Sequence, residues 1–76
     1  MNKKTIFIYT KTEKPKNCKI VVEDMTVFYK VGISKDDLDK LNEKDKNNVY
    51  KYLNEIEEEI KKLGKTSLLV YEDFND

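Results

Sequence analysis

One apolar stripe constrains this chain more than any other feature of its sequence. Val49, Leu53, Ile56, Ile60 and Leu63 are spaced 4, 3, 4 and 3 residues apart, which places all five side chains on one face of a helix. A helix of about 20 residues is roughly 30 Å long and can cover a small sheet. Because the chain has 76 residues and one such stripe, we predict a single domain over residues 1–76.

The residues around this stripe carry signals that begin and end helices. Ser34 is a good N-cap with acidic residues in the turn that follows it, and Gly64 lies where a glycine commonly ends a helix. Leu38 and Leu41 form a short second stripe. The polar run 42–48 is expected to break or bend the helix between the two stripes. We therefore predict one long helix, preceded by a short one if the break is complete.

Four segments have the β-branched and aromatic composition that is typical of strands. Three lie before the helix, at residues 5–10, 18–23 and 26–31, and the fourth follows it at residues 66–72. This β-β-β-α-β order predicts an α+β two-layer sandwich, in which the helix covers one face of a small, four-stranded, mainly antiparallel sheet. Gly32 is expected to end the third strand. The last strand is expected to pair with the first, and its direction stays open.

The composition excludes most catalytic and metal-binding chemistry. The chain has no His, so it lacks the commonest general acid–base and metal ligand. Two glycines are too few for a phosphate-binding loop, and one cysteine cannot form a disulfide within the chain or a zinc cluster. We therefore predict a non-enzyme with no cofactor and no bound metal. The unpaired thiol and the short apolar runs favour a cytoplasmic protein outside the membrane.

A net charge of zero hides an uneven distribution of charge. Residues 1–31 carry seven Lys and three acidic residues, whereas residues 32–76 carry eight Lys and twelve acidic residues, so the halves are +4 and −4. An acidic surface can present phosphate-like charge to a partner protein, although a solvated helix face is the simpler explanation. The candidate residues of this acidic helical face are Asp36, Asp37, Asp39, Glu55, Glu57, Glu58, Glu59, Glu72 and Asp73.

A second candidate surface is the face of the sheet that the helix leaves uncovered. Alternation along the strands is expected to place Phe7, Tyr9, Lys19, Phe28 and Lys30 there. Aromatic and Lys side chains on an open sheet can stack on the bases of single-stranded nucleic acid. They can equally form a protein interface, which in so small a chain includes a homodimer.

Cys18 carries a third alternative. Residues 9–11, followed by Pro15 and Cys18, resemble the opening of glutaredoxin-like proteins, and this resemblance implies a thiol-redox role for Cys18. The segment has no second Cys for a CxxC motif, and residues 19–22 are predicted as strand where that family has a helix. We expect Cys18 to be a small apolar side chain of the core.

These features together predict a non-enzymatic, cytoplasmic protein–protein interaction module. Size and composition favour an inhibitor encoded by a phage or mobile element. Such a module would bind another protein through the acidic helical face, the open sheet face or an edge strand. Binding of single-stranded nucleic acid through the sheet is the main alternative, and redox chemistry through Cys18 is the other.

Overall fold

The computed structural model describes residues 10–72. This part of the chain is a small α+β fold with one three-stranded sheet and one long helix. The predicted first strand, at residues 5–10, lies outside the described residues except for Thr10, which is in no strand. The five elements, in chain order, are β1 (Ile20–Asp24), β2 (Tyr29–Ser34), α1 (Lys35–Asp39), α2 (Glu43–Lys62) and β3 (Ser67–Glu72).

The described sheet is mixed, with the strand order β1-β2-β3. β1 and β2 form an antiparallel hairpin in which Val22 pairs with Val31. β2 and β3 are parallel, and here Val31 pairs with Leu69. A parallel pair needs a crossover connection, which α2 supplies by returning the chain to the end where β2 began. Among the described strands, β3 therefore pairs with the strand directly before the helices. The pairing of β3 with the first strand that we expected involves residues outside the described range.

The hairpin turns at residues that we predicted to be strand. Met25 donates its N–H to the carbonyl of Phe28 at 2.9 Å, and Val27 donates to the carbonyl of Met25 at 2.9 Å. The second bond closes a γ-turn around Thr26, whose φ is +75°. The side chain of Asp24 accepts from the Thr26 N–H at 2.8 Å, as Asp side chains commonly do in turns.

Both predicted ends of β2 are wrong. β2 begins at Tyr29 rather than Thr26, because the turn takes up the residues between them. It also continues through Gly32 to Ser34. Gly32 is paired with both neighbouring strands, so the ladder holds a residue whose propensity alone predicts a break.

Side chains cap the start of both helices. Ser34 Oγ accepts from the Asp37 N–H at 3.2 Å at the start of α1, as predicted. Asn42 Oδ1 accepts from the Asp45 N–H at 2.8 Å at the start of α2. The polar run 42–48 therefore begins the long helix, and the interruption between the two helices lies before it.

Gly64 ends α2, as predicted, in a Schellman motif. Its φ is +75°, its N–H donates to the carbonyl of Lys61 at 2.9 Å, and Lys65 donates to the carbonyl of Ile60 at 3.2 Å. A Cβ added at this position would meet no atom within 4 Å. The requirement for glycine here is therefore one of backbone conformation rather than of space.

The core lies between the helices and one face of the sheet. Of the predicted stripe, Val49, Ile56 and Ile60 are buried, and Leu53 is partly buried against the core. Its last residue is wrong, since Leu63 is 55% exposed. Tyr52 lies in the core beside this stripe. The buried residues of the core are Cys18, Ile20, Tyr29, Val31, Ile33, Leu38, Val49, Tyr52, Ile56 and Ile60.

The different burial of two stripe residues can be tested by mutation. Ile56 is 2% exposed, so Ile56→Ala should lower the free energy of unfolding by about 2–5 kcal/mol through lost burial and a residual cavity. The matched substitution Leu63→Ala should lower it by less than about 1 kcal/mol. Urea denaturation followed by circular dichroism measures both losses. Equal losses would contradict the exposed position of Leu63.

The positive φ of Thr26 also predicts an effect on stability. A left-handed conformation strains a side chain with a branched Cβ, so Thr26→Gly should raise the free energy of unfolding by up to about 1 kcal/mol, net of the entropy that glycine adds to the unfolded chain. Thr66→Gly is the control, because Thr66 is not among the residues with positive φ. This control should only destabilise. A loss of stability in both variants in the same denaturation experiment would rule out strain at Thr26.

Candidate functional site

Three of the eight large apolar side chains that are exposed within residues 10–72 lie on β3, and three others, Val21, Met25 and Val27, lie on the β1–β2 hairpin. Leu68 is 52% exposed, Leu69 is 45% exposed and Tyr71 is 53% exposed. Leu69 pairs with the buried Val31 and therefore lies on the face that α2 covers, whereas Leu68 lies on the opposite face. We use the name β3 edge for the outer side of Ser67–Glu72 together with these three exposed side chains.

The backbone of the β3 edge carries hydrogen-bonding groups that are directed away from β2. Tyr29, which pairs with Ser67 in the register of the two strands, donates its N–H to the carbonyl of Thr66 at 2.8 Å. Thr66 therefore directs its backbone carbonyl towards β2. Because successive residues of a strand direct their N–H and C=O groups to opposite sides, Ser67, Leu69 and Tyr71 direct theirs outward. Among the described strands none lies beyond β3, so these groups have no strand partner within residues 10–72.

A shallow groove lies beside Leu69, between α2 and β3. Its volume is about 110 Å³, and its apolar wall includes Leu53, which packs against the core while remaining partly exposed. The residues that line it are Val31, Leu53, Asn54, Glu57, Ser67 and Leu69.

Three larger clefts include residues of the loop that precedes β1. One, of about 370 Å³, lies between residues 12–17 of the loop and the start of α2. A second, of about 590 Å³, lies between Lys11 and the middle of α2, and a third, of about 400 Å³, lies between Asn17 and the segment that joins α1 to α2. All three clefts mix Lys with acidic side chains, so their charge favours neither an anion nor a cation.

Glu55, predicted for the acidic helical face, instead fastens the loop before β1 to α2. Its carboxylate accepts the N–H of Lys11 at 2.7 Å, the N–H of Thr12 at 3.1 Å and the hydroxyl of Thr12. The hydroxyl bond is the largest cause that lowers the pKa of Glu55, followed by the backbone bond from Thr12, with smaller contributions from Lys11 and Lys51. These oxygens therefore hold the loop before β1 against α2.

The other predicted acidic residues are distributed over separate parts of the molecule. On α1, Asp37 accepts the N–H of Lys19 at 3.1 Å, and Asp39 lies 3.4 Å from Lys35 Nζ. On α2, Glu59 lies 3.0 Å from Lys62 Nζ. The remaining positions are Asp36 on α1, Glu57 and Glu58 exposed on α2, Glu72 on β3, and Asp73, which lies outside the described residues.

The uncovered face of the sheet holds an ionic cluster. Lys30 Nζ lies 2.5 Å from Glu72 Oε1 and 3.9 Å from Glu23 Oε1, so the cluster joins all three strands. The hydrogen bond to Glu72 is the largest cause that raises the pKa of Lys30. Lys30 is the predicted sheet residue that the structure places on this face. Its charge is already paired within the molecule.

The other candidates for the sheet face are not brought together with Lys30. Phe28 is partly buried in the turn before β2, and Lys19 is exposed just before β1. Phe7 and Tyr9 lie outside the described residues. The described residues thus assemble no row of aromatic and Lys side chains on the sheet.

Cys18 occupies the core position that we expected. The side chain is 2% exposed, and Sγ lies 3.8 Å from the carbonyl oxygen of Ser34. Burial is the main cause that raises the pKa of the Cys18 thiol, and the charge of Asp37 adds to it. A thiol held in its protonated form is a poor nucleophile, so this environment gives no support to redox chemistry.

Sequence reasoning did not single out the side chains of the β3 edge, although a signal was present. Residues 68–71 form an uninterrupted apolar run, which is typical of parallel strands covered on both faces. Such a run predicts burial, and only the structure shows that three of its four side chains are exposed.

Comparisons with known protein families, with curated proteins and with solved structures gave no match for this chain. Within residues 10–72, no helix has both the length and the apolar character needed to cross a membrane. The geometry of the described residues is therefore the basis for a functional proposal.

The hydrogen bonds of Glu55 predict a dependence of stability on pH. A lowered pKa in the folded state adds stability at pH values above the unfolded pKa, near 4.5, and this stability is lost as the pH falls through the folded pKa. Urea denaturation between pH 7 and pH 3 should therefore show wild type more stable than Glu55→Gln at neutral pH, with the difference vanishing in acid. Glu58→Gln, at an exposed position, is the control. A difference between wild type and Glu55→Gln that does not change with pH would refute this role.

Proposed function

We propose that this chain is a protein–protein interaction module that binds an extended polypeptide strand along the β3 edge. The observation that carries this proposal is the coincidence of two features on one strand. Leu68, Leu69 and Tyr71 are about half exposed, and alternate residues of the same strand direct their backbone groups outward. Strand addition uses both features, since backbone hydrogen bonds supply affinity and alternate side chains supply specificity.

The exposure of β3 is unusual for its sequence. Parallel strands with a continuous apolar run are normally covered on both faces, whereas Leu68 and Leu69 are exposed on opposite faces. An added strand would remove part of each side chain from water, and burial of apolar surface is the main favourable contribution to association. The three exposed side chains therefore support binding at this edge.

The acidic helical face has less support as a binding surface. Glu55 is bonded to the loop before β1, and Glu59 and Glu72 each face a Lys side chain. A partner at these positions would have to replace bonds that the fold already makes. The same reasoning applies to nucleic acid at the uncovered sheet face, where a phosphate would compete with two carboxylates for Lys30.

Selection of peptides tests this proposal. A phage-displayed library of random linear peptides, panned against the immobilised protein, should yield sequences that alternate apolar and polar residues. A synthetic peptide from this selection should shift the amide NMR signals of Ser67, Leu69 and Tyr71, because these groups would form the new hydrogen bonds. Leu69→Lys should weaken its binding at least about tenfold, since it places a charge on the edge.

Tyr50→Lys is the matched control for this experiment, because Tyr50 lies on α2 and is also 45% exposed. It should leave the affinity for the peptide unchanged. Peptides that bind equally well to Leu69→Lys, or that shift the signals of Glu57 and Glu58 instead, would overturn the β3 edge as the binding surface.

A further inference from the structure

We infer that residues 11–17 form a strap that opens locally, with Glu55 as its latch, while the rest of the described structure stays folded. Opening exposes the thiol of Cys18 and the apolar wall of the cleft of about 370 Å³ between the strap and α2. The device involves none of the residues of the β3 edge, so it does not depend on the function proposed for that edge.

The latch is a single side chain. Within residues 10–72, every hydrogen bond that joins the strap to another element ends on Glu55. One oxygen of this carboxylate accepts the N–H groups of Lys11 and Thr12, and the other accepts the hydroxyl of Thr12. Two consecutive N–H groups directed at one anion form charge-assisted bonds, which are stronger than neutral ones. Because the bonds share one acceptor group, they are made and lost together.

The remainder of the strap is held weakly. None of residues 11–17 is buried, and Pro15 is the one apolar residue among them. Clefts of about 590 Å³ and 370 Å³ lie between the strap and α2. No ion pair joins the three Lys side chains of the strap to the part of the chain that the structure describes. A segment with few buried contacts and an exposed backbone opens at a low cost in free energy.

The strap ends at a fixed point just after Cys18. Lys19 donates its N–H to the carboxylate of Asp37 at 3.1 Å, and its carbonyl accepts the N–H of Ser34 at 3.0 Å. These bonds tie the backbone of Lys19 to α1 and to the end of β2, so the strap hinges there. Cys18 is 2% exposed, whereas Asn17 and Lys19 on either side are exposed. It is the first buried residue after the latch, and lifting the strap gives the shortest route to its thiol.

The closed strap also covers apolar side chains of the helical layer. Leu41 and Val49 line the cleft of about 370 Å³ opposite Pro15. Val49 is 1% exposed, and Leu41 is partly buried against the core. Opening would let water or a ligand reach both side chains from the side of the strap. The strap therefore acts as a lid over this apolar surface, and Glu55 sets how often the lid opens.

Alkylation of the one cysteine in the chain measures this opening. The native full chain is treated with iodoacetamide at constant pH and followed by mass spectrometry. In wild type the rate should be nearly independent of urea at low concentrations, because local opening exposes little surface, and should rise steeply only where global unfolding takes over.

Two variants weaken the latch from its two sides. Glu55→Gln should react at least about tenfold faster than wild type in the absence of urea, since it removes the charge that strengthens the bonds of the latch. Thr12→Val keeps the backbone N–H but loses the hydroxyl, and it should react about fivefold faster. Circular dichroism verifies that each variant is folded. If Glu55→Gln does not fold, the rate of Thr12→Val decides.

Two control variants separate opening of the strap from global unfolding. Ile60→Val weakens the core at a residue that is 0% exposed and outside the strap, and it should leave the rate without urea unchanged. Glu58→Gln, at an exposed position of α2, should also leave it unchanged. The inference fails if the wild-type rate follows the slope of global unfolding from the lowest urea concentration. It fails equally if both latch variants react as slowly as wild type, or if Ile60→Val accelerates the reaction as much as Glu55→Gln does.

Discussion

The packing of α2 against one face of the sheet is the contact on which the rest of the structure depends. β2 is the central strand, and its side chains Val31 and Ile33 belong to the same buried core as Ile56 and Ile60 of the helix. The 20 residues of α2 span about 30 Å, which is more than the length of a six-residue strand. The helix therefore carries the chain back past the start of β2, so that β3 runs parallel to it. The position of every exposed side chain on β3 follows from this return.

The same contact explains why the sheet is covered unevenly. An α-helix with its side chains is about 10–12 Å wide, and the outer strands of a three-stranded sheet are already about 10 Å apart between their backbones. The core shared with α2 buries Tyr29, Val31 and Ile33 of β2. Leu69 and Tyr71 of β3 lie on the same face and remain about half exposed. One helix on three strands therefore leaves part of the covered face of β3 exposed.

Features set by neighbouring residues could be predicted from the sequence, whereas features set by distant contacts could not. The apolar stripe predicts α2. Ser34 and Gly64 predict helix ends, and Cys18 is expected in the core. Each of these predictions depends only on local spacing or on residue type. The partner of β3, the pairing that carries β2 through Gly32 and the bonds of Glu55 to Lys11 depend on residues far apart in the chain. The acidic residues accordingly looked like one surface in the sequence and are divided in the structure.

The two strand pairs of the sheet differ in how far apart their residues lie in the chain. In the hairpin, Asp24 pairs with Tyr29 only five residues later, whereas Tyr29 pairs with Ser67 after a further 38 residues. Closing the longer loop loses more chain entropy, so contacts within the hairpin and within α2 can form before β3 joins the sheet. During synthesis β3 is also the last described element to leave the ribosome. The strand with the most exposed apolar surface is therefore the strand that spends the longest time unpaired as the chain folds.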